Sequence, residues 1–204
     1  MHSAQFFDPK KLPTLQENVL DGHDGYVNTV KFSNDAQYCV SGGQDKAVII
    51  WNPFKPKLVK GYKGIHNHEV LDFQITNDNN RIASCGGDRS IFYWDVQTGG
   101  VIKSFSGHNS RVNAVAFNKE ENLIISGSYD GTMRFWDLKQ RKSVELECCK
   151  HFNDSVTSVI VHESLVFASC VDGRMRTFDI RMGEVTSGKY FFVLKTRLYW
   201  RADC

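Results

Sequence analysis

The segment SGSYDGTMRFWDL at residues 126–138 decides the fold, because the chain repeats its pattern three more times. Related segments are SGGQDKAVIIWNP at 41–53, SCGGDRSIFYWDV at 84–96 and ASCVDGRMRTFDI at 168–180. Each contains an aspartate followed six residues later by a large aromatic side chain, and the aromatic positions are 43, 42 and 42 residues apart. A fixed period of this length indicates that one structural unit is repeated along the chain.

A histidine also recurs in step with each aspartate, 22 residues before it in three repeats and 21 in the fourth. The aligned sets are His23, Asp45 and Trp51; His66, Asp88 and Trp94; His108, Asp130 and Trp136; and His151, Asp172 and Phe178. A period near 42 residues with histidine and Trp-Asp marks resembles the WD repeat, in which each unit is one four-stranded blade of a β-propeller.

The apolar pattern independently predicts strands. After each histidine comes an apolar triplet of constant spacing with polar residues in most gaps, as a half-buried strand requires. The triplets are Val27, Val30 and Phe32; Val70, Phe73 and Ile75; Val112, Val115 and Phe117; and Val156, Val159 and Val161. The following segments, YCVSGG, RIASCGG, LIISGS and LVFASC, are more continuously apolar, which is typical of strands covered on both faces.

The predicted fold class is therefore all-β: a WD-repeat β-propeller of four blades, forming an open arc of a ring that normally has seven. The predicted organisation is an N-terminal extension at 1–14, four repeats within 15–181, and a non-repeat tail at 182–204. The repeat boundaries fall at about 15–57, 58–100, 101–143 and 144–181.

The resemblance implies a hydrogen-bonded chain of histidine, serine, aspartate and tryptophan inside each blade. A buried indole N–H needs an acceptor, and a buried carboxylate needs donors. The implied sets are His23, Ser41, Asp45 and Trp51; His66, Ser84, Asp88 and Trp94; and His108, Ser126, Asp130 and Trp136. The fourth set, with His151 and Asp172, is incomplete because Ala168 stands at the serine position and Phe178 has no N–H.

No residue pattern points to catalysis, a metal or a cofactor. Each His–Asp pair belongs to a different predicted blade, so the pairs do not combine into a single catalytic or metal-binding site. The chain lacks the nucleophile-elbow, zinc-protease and phosphate-loop motifs. We therefore expect a protein that is not an enzyme, with no small-molecule substrate.

Composition excludes several other classes. The formal net charge of +2 gives no general case for nucleic-acid or membrane binding, and no apolar run is long enough to span a bilayer. The six cysteines form no C-x-x-C pair, which favours buried thiols in a reducing compartment. With no signal-like N-terminus, these features favour cytoplasm or nucleus.

The tail, GEVTSGKYFFVLKTRLYWRADC, has no place in the period. Three interpretations stay open: a membrane-surface or nucleic-acid segment, the outer strand of the fourth blade plus a stub, or a continuation foreign to the repeat in a truncated or alternatively spliced product, which we favour. An open four-blade arc exposes an unpaired edge and apolar blade faces. We expect marginal stability, or closure by self-association or a partner.

Several stretches resemble one family of WD proteins more specifically, the mitogen-activated protein kinase organizer scaffolds. They are WNPFK at 51, HEVLDF at 68, GGDRSIFYWDVQTGGVIKSFSGH at 86 and VDGRMRTFDIRMGEV at 171. The resemblance implies a non-catalytic scaffold that gathers components of the ERK signalling cascade and is associated with pre-mRNA splicing complexes. Its implied partners are proteins.

Propellers bind partners at the rim formed by the loops before the innermost strands and the turns before each aspartate. These loops map to Tyr26, Glu69, Arg111 and Ser155, and these turns to Gln44, Gly87, Tyr129 and Val171. Tyr and Arg are enriched at binding hot spots, so the candidate rim is Tyr26, Glu69, Arg111, Tyr129 and Gln44, with Tyr26, Arg111 and Tyr129 foremost.

An alternative function comes from FDIR at residues 178–181, which resembles the box with which some WD proteins dock onto a cullin–RING ubiquitin-ligase adaptor. Asp179 and Arg181 would supply the polar contacts. The related WDLK at 136–139 has Lys139, which lacks the planar guanidinium fork. Direct nucleic-acid binding ranks last, since basic and acidic residues nearly balance over residues 1–181.

Overall fold

The computed structural model describes residues 18–140 and 145–182. Within these ranges the secondary structure consists of strands and one short 3-10 turn at Ile180–Met182. The strands form four antiparallel sheets, and each strand pairs with its neighbours in sequence. Such up-and-down pairing follows from the short turn segments between the apolar runs, because antiparallel neighbours need only a tight connection.

The first sheet contains β1 to β4, at Val27–Phe32, Cys39–Gly43, Val48–Asn52 and Lys57–Tyr62. The second contains β5 to β8, at Val70–Ile75, Arg81–Gly86, Ser90–Asp95 and Val101–Ser106. The third contains β9 to β12, at Val112–Phe117, Leu123–Ser128, Met133–Asp137 and Glu145–Cys149. The fourth contains β13 to β15, at Val156–His162, Leu165–Cys170 and Met175–Asp179.

The core lies between consecutive sheets. Val48 and Ile50 of the first sheet pack with Val70 and Phe73 of the second in one buried cluster. The same arrangement recurs between the second and third sheets and between the third and fourth. The apolar triplets of the first strands in the second, third and fourth sheets are thus packed against the preceding sheet.

The predicted fold class is confirmed: the protein is all-β, with sheets that follow one another as the blades of an open propeller arc. The triplet of β1 has no preceding sheet among the described residues, and Val27, Val30 and Phe32 are all exposed. The expected bare apolar face is therefore present at this end of the arc.

The fourth sheet differs from the others in its first hairpin. Val161 pairs with Val166 there, whereas Ile75 pairs with Ile82 in the second sheet, so the connection is two residues shorter. The spacing between Val156 and Asp172, 16 residues against 18 in the other repeats, predicts this shortening. Glu163 in the tight turn has a φ of 53°.

Several sequence-based predictions fall partly or wholly outside the described residues. These are the extension at 1–14, the start of the first repeat at residue 15, and the tail after Met182 with its three interpretations. The repeat boundaries at residues 57, 100 and 143 remain predictions. Among the described residues, no helix has the length and apolar character that crossing a membrane requires.

Candidate functional site

The first three repeats share one hydrogen-bonded chain that joins four side chains. The indole N–H donates to the serine Oγ over 2.7 Å in Trp51–Ser41, 3.0 Å in Trp94–Ser84 and 2.9 Å in Trp136–Ser126. The serine Oγ lies 2.7 Å from His23 Nε2, 2.7 Å from His66 Nε2 and 2.8 Å from His108 Nε2 in the same order. Histidine Nδ1 lies 2.9, 2.8 and 3.0 Å from a carboxylate oxygen of Asp45, Asp88 and Asp130.

The donor and acceptor roles follow from the carboxylate. Because an ionised aspartate only accepts, the histidine Nδ1–H donates to it, and Nε2 is left to accept the serine O–H. The serine oxygen in turn accepts the indole N–H. Every polar side-chain atom of this histidine–serine–aspartate–tryptophan network therefore has a hydrogen-bond partner. This explains why so polar a group is tolerated inside a sheet.

Each aspartate also holds two backbone N–H groups. Asp130 accepts from Asn109 N at 2.8 Å, the residue after the histidine, and from Thr132 N at 3.0 Å, two residues further along its own turn. The same pair of bonds occurs at Asp45 and Asp88. The carboxylate thus fastens the loop that carries the histidine to the turn between the second and third strands.

These contacts set the ionisation of the carboxylates. Burial acts to raise the pKa of Asp45, Asp88 and Asp130, but the hydrogen bonds from the histidine and the backbone N–H groups outweigh it, so each pKa lies below its ordinary value. Thr132 adds to the effect at Asp130, since its hydroxyl donates to the carboxylate over 2.5 Å. The three aspartates are therefore ionised in the folded protein at neutral pH.

We expect the free energy of unfolding to fall on acidification. A carboxyl whose pKa is lower in the folded than in the unfolded chain contributes stability above the unfolded value, about 4, and loses it as the pH falls towards the folded pKa. Urea unfolding at several pH values below about 5 measures this slope. Asp130→Asn, which cannot titrate, should show a shallower slope than the unsubstituted chain; equal slopes would contradict the assignment.

The Ser–His–Asp geometry resembles that of a nucleophilic triad, but the serine is inaccessible. Ser84 and Ser126 are fully buried, and their oxygens already accept an indole N–H. A nucleophile must approach a substrate carbonyl and have an oxyanion site beside it. This arrangement offers neither, so it fastens a blade. Among the described residues there is also no group of three or more His, Cys, Asp or Glu side chains placed to hold a metal ion.

In the fourth repeat, where the resemblance implies a role for His151 beside Asp172, the aspartate of the turn is paired with Arg176. Asp172 accepts two hydrogen bonds from the Arg176 guanidinium, at 3.2 and 2.6 Å, and this contact holds the aspartate pKa below its usual range. Arg176 also stacks 4.9 Å from the centre of the Phe152 ring, whereas His151 is exposed. With Ala168 and Phe178 in place of serine and tryptophan, this repeat has no hydroxyl–indole chain for a histidine to complete.

The predicted rim residues lie in four equivalent pairs. In each pair the backbone N–H of the turn residue donates to the carbonyl of the loop residue, over 2.9 Å in Gln44–Tyr26 and 3.0 Å in Gly87–Glu69, Tyr129–Arg111 and Val171–Ser155. The side chains differ: Tyr26 and Tyr129 are exposed, while Ser155 is buried. The Arg111 guanidinium lies 4.8 Å from the centre of the Tyr129 ring, in a cation–π contact.

Two rim cations were missed by the sequence reasoning. Lys46 and Arg89 directly follow the fastening aspartates, are exposed, and have φ values of 65° and 61°. Gly131 and Gly173 hold the same position in the other repeats, where a left-handed conformation is free of steric cost. The sequence signal for Lys46 and Arg89 is a basic residue at a turn position where the third and fourth repeats have glycine.

The residues of the alternative adaptor contact lie at the opposite end of the fourth sheet. Arg181 follows β15, and its guanidinium donates to Asp179 over 2.6 Å, so the two side chains form an exposed ion pair. The Asp179 carboxylate also accepts the Arg181 backbone N–H at 2.9 Å. Arg181 lines a groove of about 770 Å³ between the third and fourth sheets, next to Lys139 and Glu163.

Comparison with known proteins decides the family. The sequence matches the WD domain, G-beta repeat, at residues 15–52, 58–95 and 99–137, which is more than half of the chain. The chain belongs to the WD-repeat family. The matched WD repeats are the three with a complete hydrogen-bonded chain, and the fourth sheet is the one whose serine and tryptophan are replaced.

Curated relatives share the WD repeats over part of their length. The chain is 33% identical to the WD repeat domain-containing protein 83 homolog of Dictyostelium discoideum over 111 residues, 54% of this chain and 34% of that protein. It is 32% identical to the U5 small nuclear ribonucleoprotein 40 kDa protein of the same organism over 114 residues, 53% and 31% of the two chains. The chain thus spans about a third of the length of these relatives.

A solved structure shows the same WD fold. The crystal structure of the RRP9 WD40 repeats superposes with a TM-score of 0.76 at 20% identity, covering 86% of this chain and 53% of that one. At this identity the likeness concerns the arrangement of sheets alone. The four-sheet arc therefore corresponds to about half of a WD-repeat structure.

Proposed function

We propose that this chain is a non-catalytic scaffold that binds partner proteins through the rim of its blades. The observation that carries the proposal is the Arg111–Tyr129 stack, held by the backbone bond between the same two residues. A rigid, exposed pair of these residue types offers a large contact area at little entropic cost. Tyr26 presents a second exposed aromatic ring at the equivalent position of the first sheet.

The mixture of charges on the rim favours a protein partner. Glu69 on the second sheet lies between the rim positions of the first and third sheets, and its carboxylate reaches over Gly87, which has no side chain to cover it. Lys46, Arg89 and Arg111 are exposed cations at rim positions of the first, second and third sheets. A phosphate backbone selects a uniformly basic surface, whereas alternating charges with aromatic rings suit a polypeptide.

For the identity of the partners we propose components of the ERK cascade, with a second association in pre-mRNA splicing complexes, in the cytoplasm or nucleus. The resemblance of WNPFK, HEVLDF and the segment from 171 to the kinase-organizer scaffolds supports the first. The similarity to the U5 small nuclear ribonucleoprotein 40 kDa protein supports the second.

The double substitution Arg111→Ala with Tyr129→Ala should reduce capture of ERK-cascade proteins in a pull-down by at least about tenfold, because two hot-spot side chains of about 1 kcal/mol or more each are lost. Circular dichroism should be unchanged, since both side chains are exposed. Tyr38→Ala is the matched control: it removes an exposed tyrosine from the turn between β1 and β2, at the other end of the blade. Unchanged capture by the double variant would remove the rim assignment.

The exposed Asp179–Arg181 pair keeps the cullin–RING adaptor as a second candidate function. Arg181→Ala in the same pull-down separates the two. If the rim binds kinase-cascade proteins, capture of these proteins persists in this variant. Co-purification of a cullin–RING adaptor that disappears with Arg181→Ala and persists in the rim variant would favour the second candidate.

A further inference from the structure

Two apolar faces lie at opposite ends of the arc among the described residues, and most of their positions have buried counterparts at the internal junctions. The first, the β1 face, consists of Val27, Val30 and Phe32. Val30 is 63% exposed, whereas Val115, at the same position of the third sheet, is 1% exposed. The sequence pattern is the same in both, but the third sheet packs on a preceding sheet, whereas β1 has none among the described residues.

The second face lies on the fourth sheet and consists of Ile160, Phe167 and Met175; it is called the sheet-four face below. Met175 is 43% exposed, while its counterpart in the third sheet, Met133, is fully buried. The counterparts in the first and second sheets, Val48 and Ile91, are buried as well. In each of these sheets the position packs against the first strand of the next sheet.

The internal junctions show that these two faces are complementary halves of one interface. At the junction of the third and fourth sheets, Met133 packs in one cluster with Val156 and Val159 of the following sheet. Polar atoms reinforce the junction, since Asn113 Nδ2 donates to the Val156 carbonyl over 2.7 Å. Asn28 makes the same bond to the Val70 carbonyl over 2.9 Å.

The sheet-four face has an equivalent of the apolar contact. Thr157 holds the position of Asn28 and Asn113, but its hydroxyl bonds to Ser169 within the fourth sheet, with the two hydroxyl oxygens 2.8 Å apart. Ile160 holds the position of Lys31, which donates to the Phe73 carbonyl over 2.5 Å. Phe73 holds the position of Val30, so an equivalent junction would place the exposed Ile160 beside Val30 of the β1 face.

We propose that two copies of this chain associate head to tail, with the β1 face of each packed on the sheet-four face of the other. Two such junctions close an eight-bladed ring with two-fold symmetry. A second copy is the occupant because one chain carries both halves of the interface. Propellers with as many as eight blades are known, and a closed two-fold assembly leaves neither face exposed.

Size-exclusion chromatography with light scattering tests the association on the full chain. The expected mass is twice the chain mass of 23.2 kDa. Val30→Arg and Met175→Arg should each reduce the mass to that of one copy, because each places a charge in both junctions. Both positions are exposed in the single chain, so circular dichroism should be unchanged. Val101→Arg is the matched control on an exposed outer strand and should retain two copies.

Mixing the two variants tests the head-to-tail geometry. In an equal mixture of Val30→Arg and Met175→Arg, one of the two junctions has two unsubstituted faces, so a two-copy species should return although neither variant forms it alone. A single-copy mass for the unsubstituted chain at every concentration would overturn the proposal, whether solvent or another segment of the chain covers the faces. A mass that grows beyond two copies with concentration would overturn ring closure.

Discussion

Replacing Trp136 by alanine should lower the free energy of unfolding by about 3–5 kcal/mol, the cost of removing a fully buried large aromatic side chain. Trp136 has no exposed surface, and its ring centre lies 5.6 Å from that of Phe105 in the preceding sheet. Its indole N–H also donates to Ser126, so the substitution opens a cavity and breaks the hydrogen-bonded chain together. Since a domain has only about 5–15 kcal/mol in total, the variant should lie close to the unfolding threshold.

Two further variants separate the contributions at this position. Trp136→Phe reproduces the aromatic found at Phe178 in the fourth repeat; it keeps a ring but loses the indole donor, so its effect should be smaller than that of alanine. Phe54→Ala removes an exposed aromatic ring and should change the unfolding free energy by no more than about 0.5 kcal/mol. Urea unfolding followed by circular dichroism measures all three. A loss for Trp136→Ala no larger than for Phe54→Ala would show that the indole does not fasten the blade.

Gly127→Val should destabilise the protein by about 1–3 kcal/mol, the usual cost of overpacking a filled core. A Cβ atom at Gly127 would lie 2.5 Å from Val156 Cγ1 and 2.9 Å from Val159 Cγ2, both on the facing strand of the fourth sheet. Valine side chains have few alternative rotamers, so the two sheets must move apart to admit the new atoms. The substitution therefore probes the packing of one blade on the next.

Gly61→Val is the matched control, since it makes the same change in a strand where nothing lies within 4 Å of the added Cβ atom. It should be neutral or slightly stabilising, because valine favours strands and restricts the unfolded chain. Thermal unfolding of both variants measures the difference. Equal melting temperatures would contradict close packing between the third and fourth sheets.

The repeated strands were predictable from the sequence because their signal is local. The triplet Val112, Val115 and Phe117 predicts the strand that the structure places at Val112–Phe117. The spacing showed that histidine, aspartate and tryptophan recur in step, and the resemblance to WD repeats implied the hydrogen-bonded chain of His108, Ser126, Asp130 and Trp136 that the structure contains. Periodicity shows which positions are equivalent, and physical chemistry then limits what equivalent polar residues can do inside a sheet.

The rest depended on neighbours that a linear pattern does not specify. Val30 and Val115 are indistinguishable by repeat position, yet only the second is covered by a preceding sheet. The Arg176–Asp172 pair was missed because the resemblance supplied a histidine for that role, and an arginine four residues after the aspartate has no counterpart in the first two repeats. The Arg111–Tyr129 stack joins side chains from two separate loops, so it could be recognised only after the fold had brought those loops together.

Hydrogen exchange of the indole N–H groups, followed by ¹H–¹⁵N spectroscopy, tests the central claim most directly: one buried side-chain network fastens each of the first three blades. Slow exchange is expected for Trp51, Trp94 and Trp136. Ser41→Ala, Ser84→Ala and Ser126→Ala should each accelerate the exchange of one indole, the one ten residues further along the chain. Exchange of these indoles as fast as in an unfolded peptide, or serine variants that accelerate all three equally or none, would contradict the account.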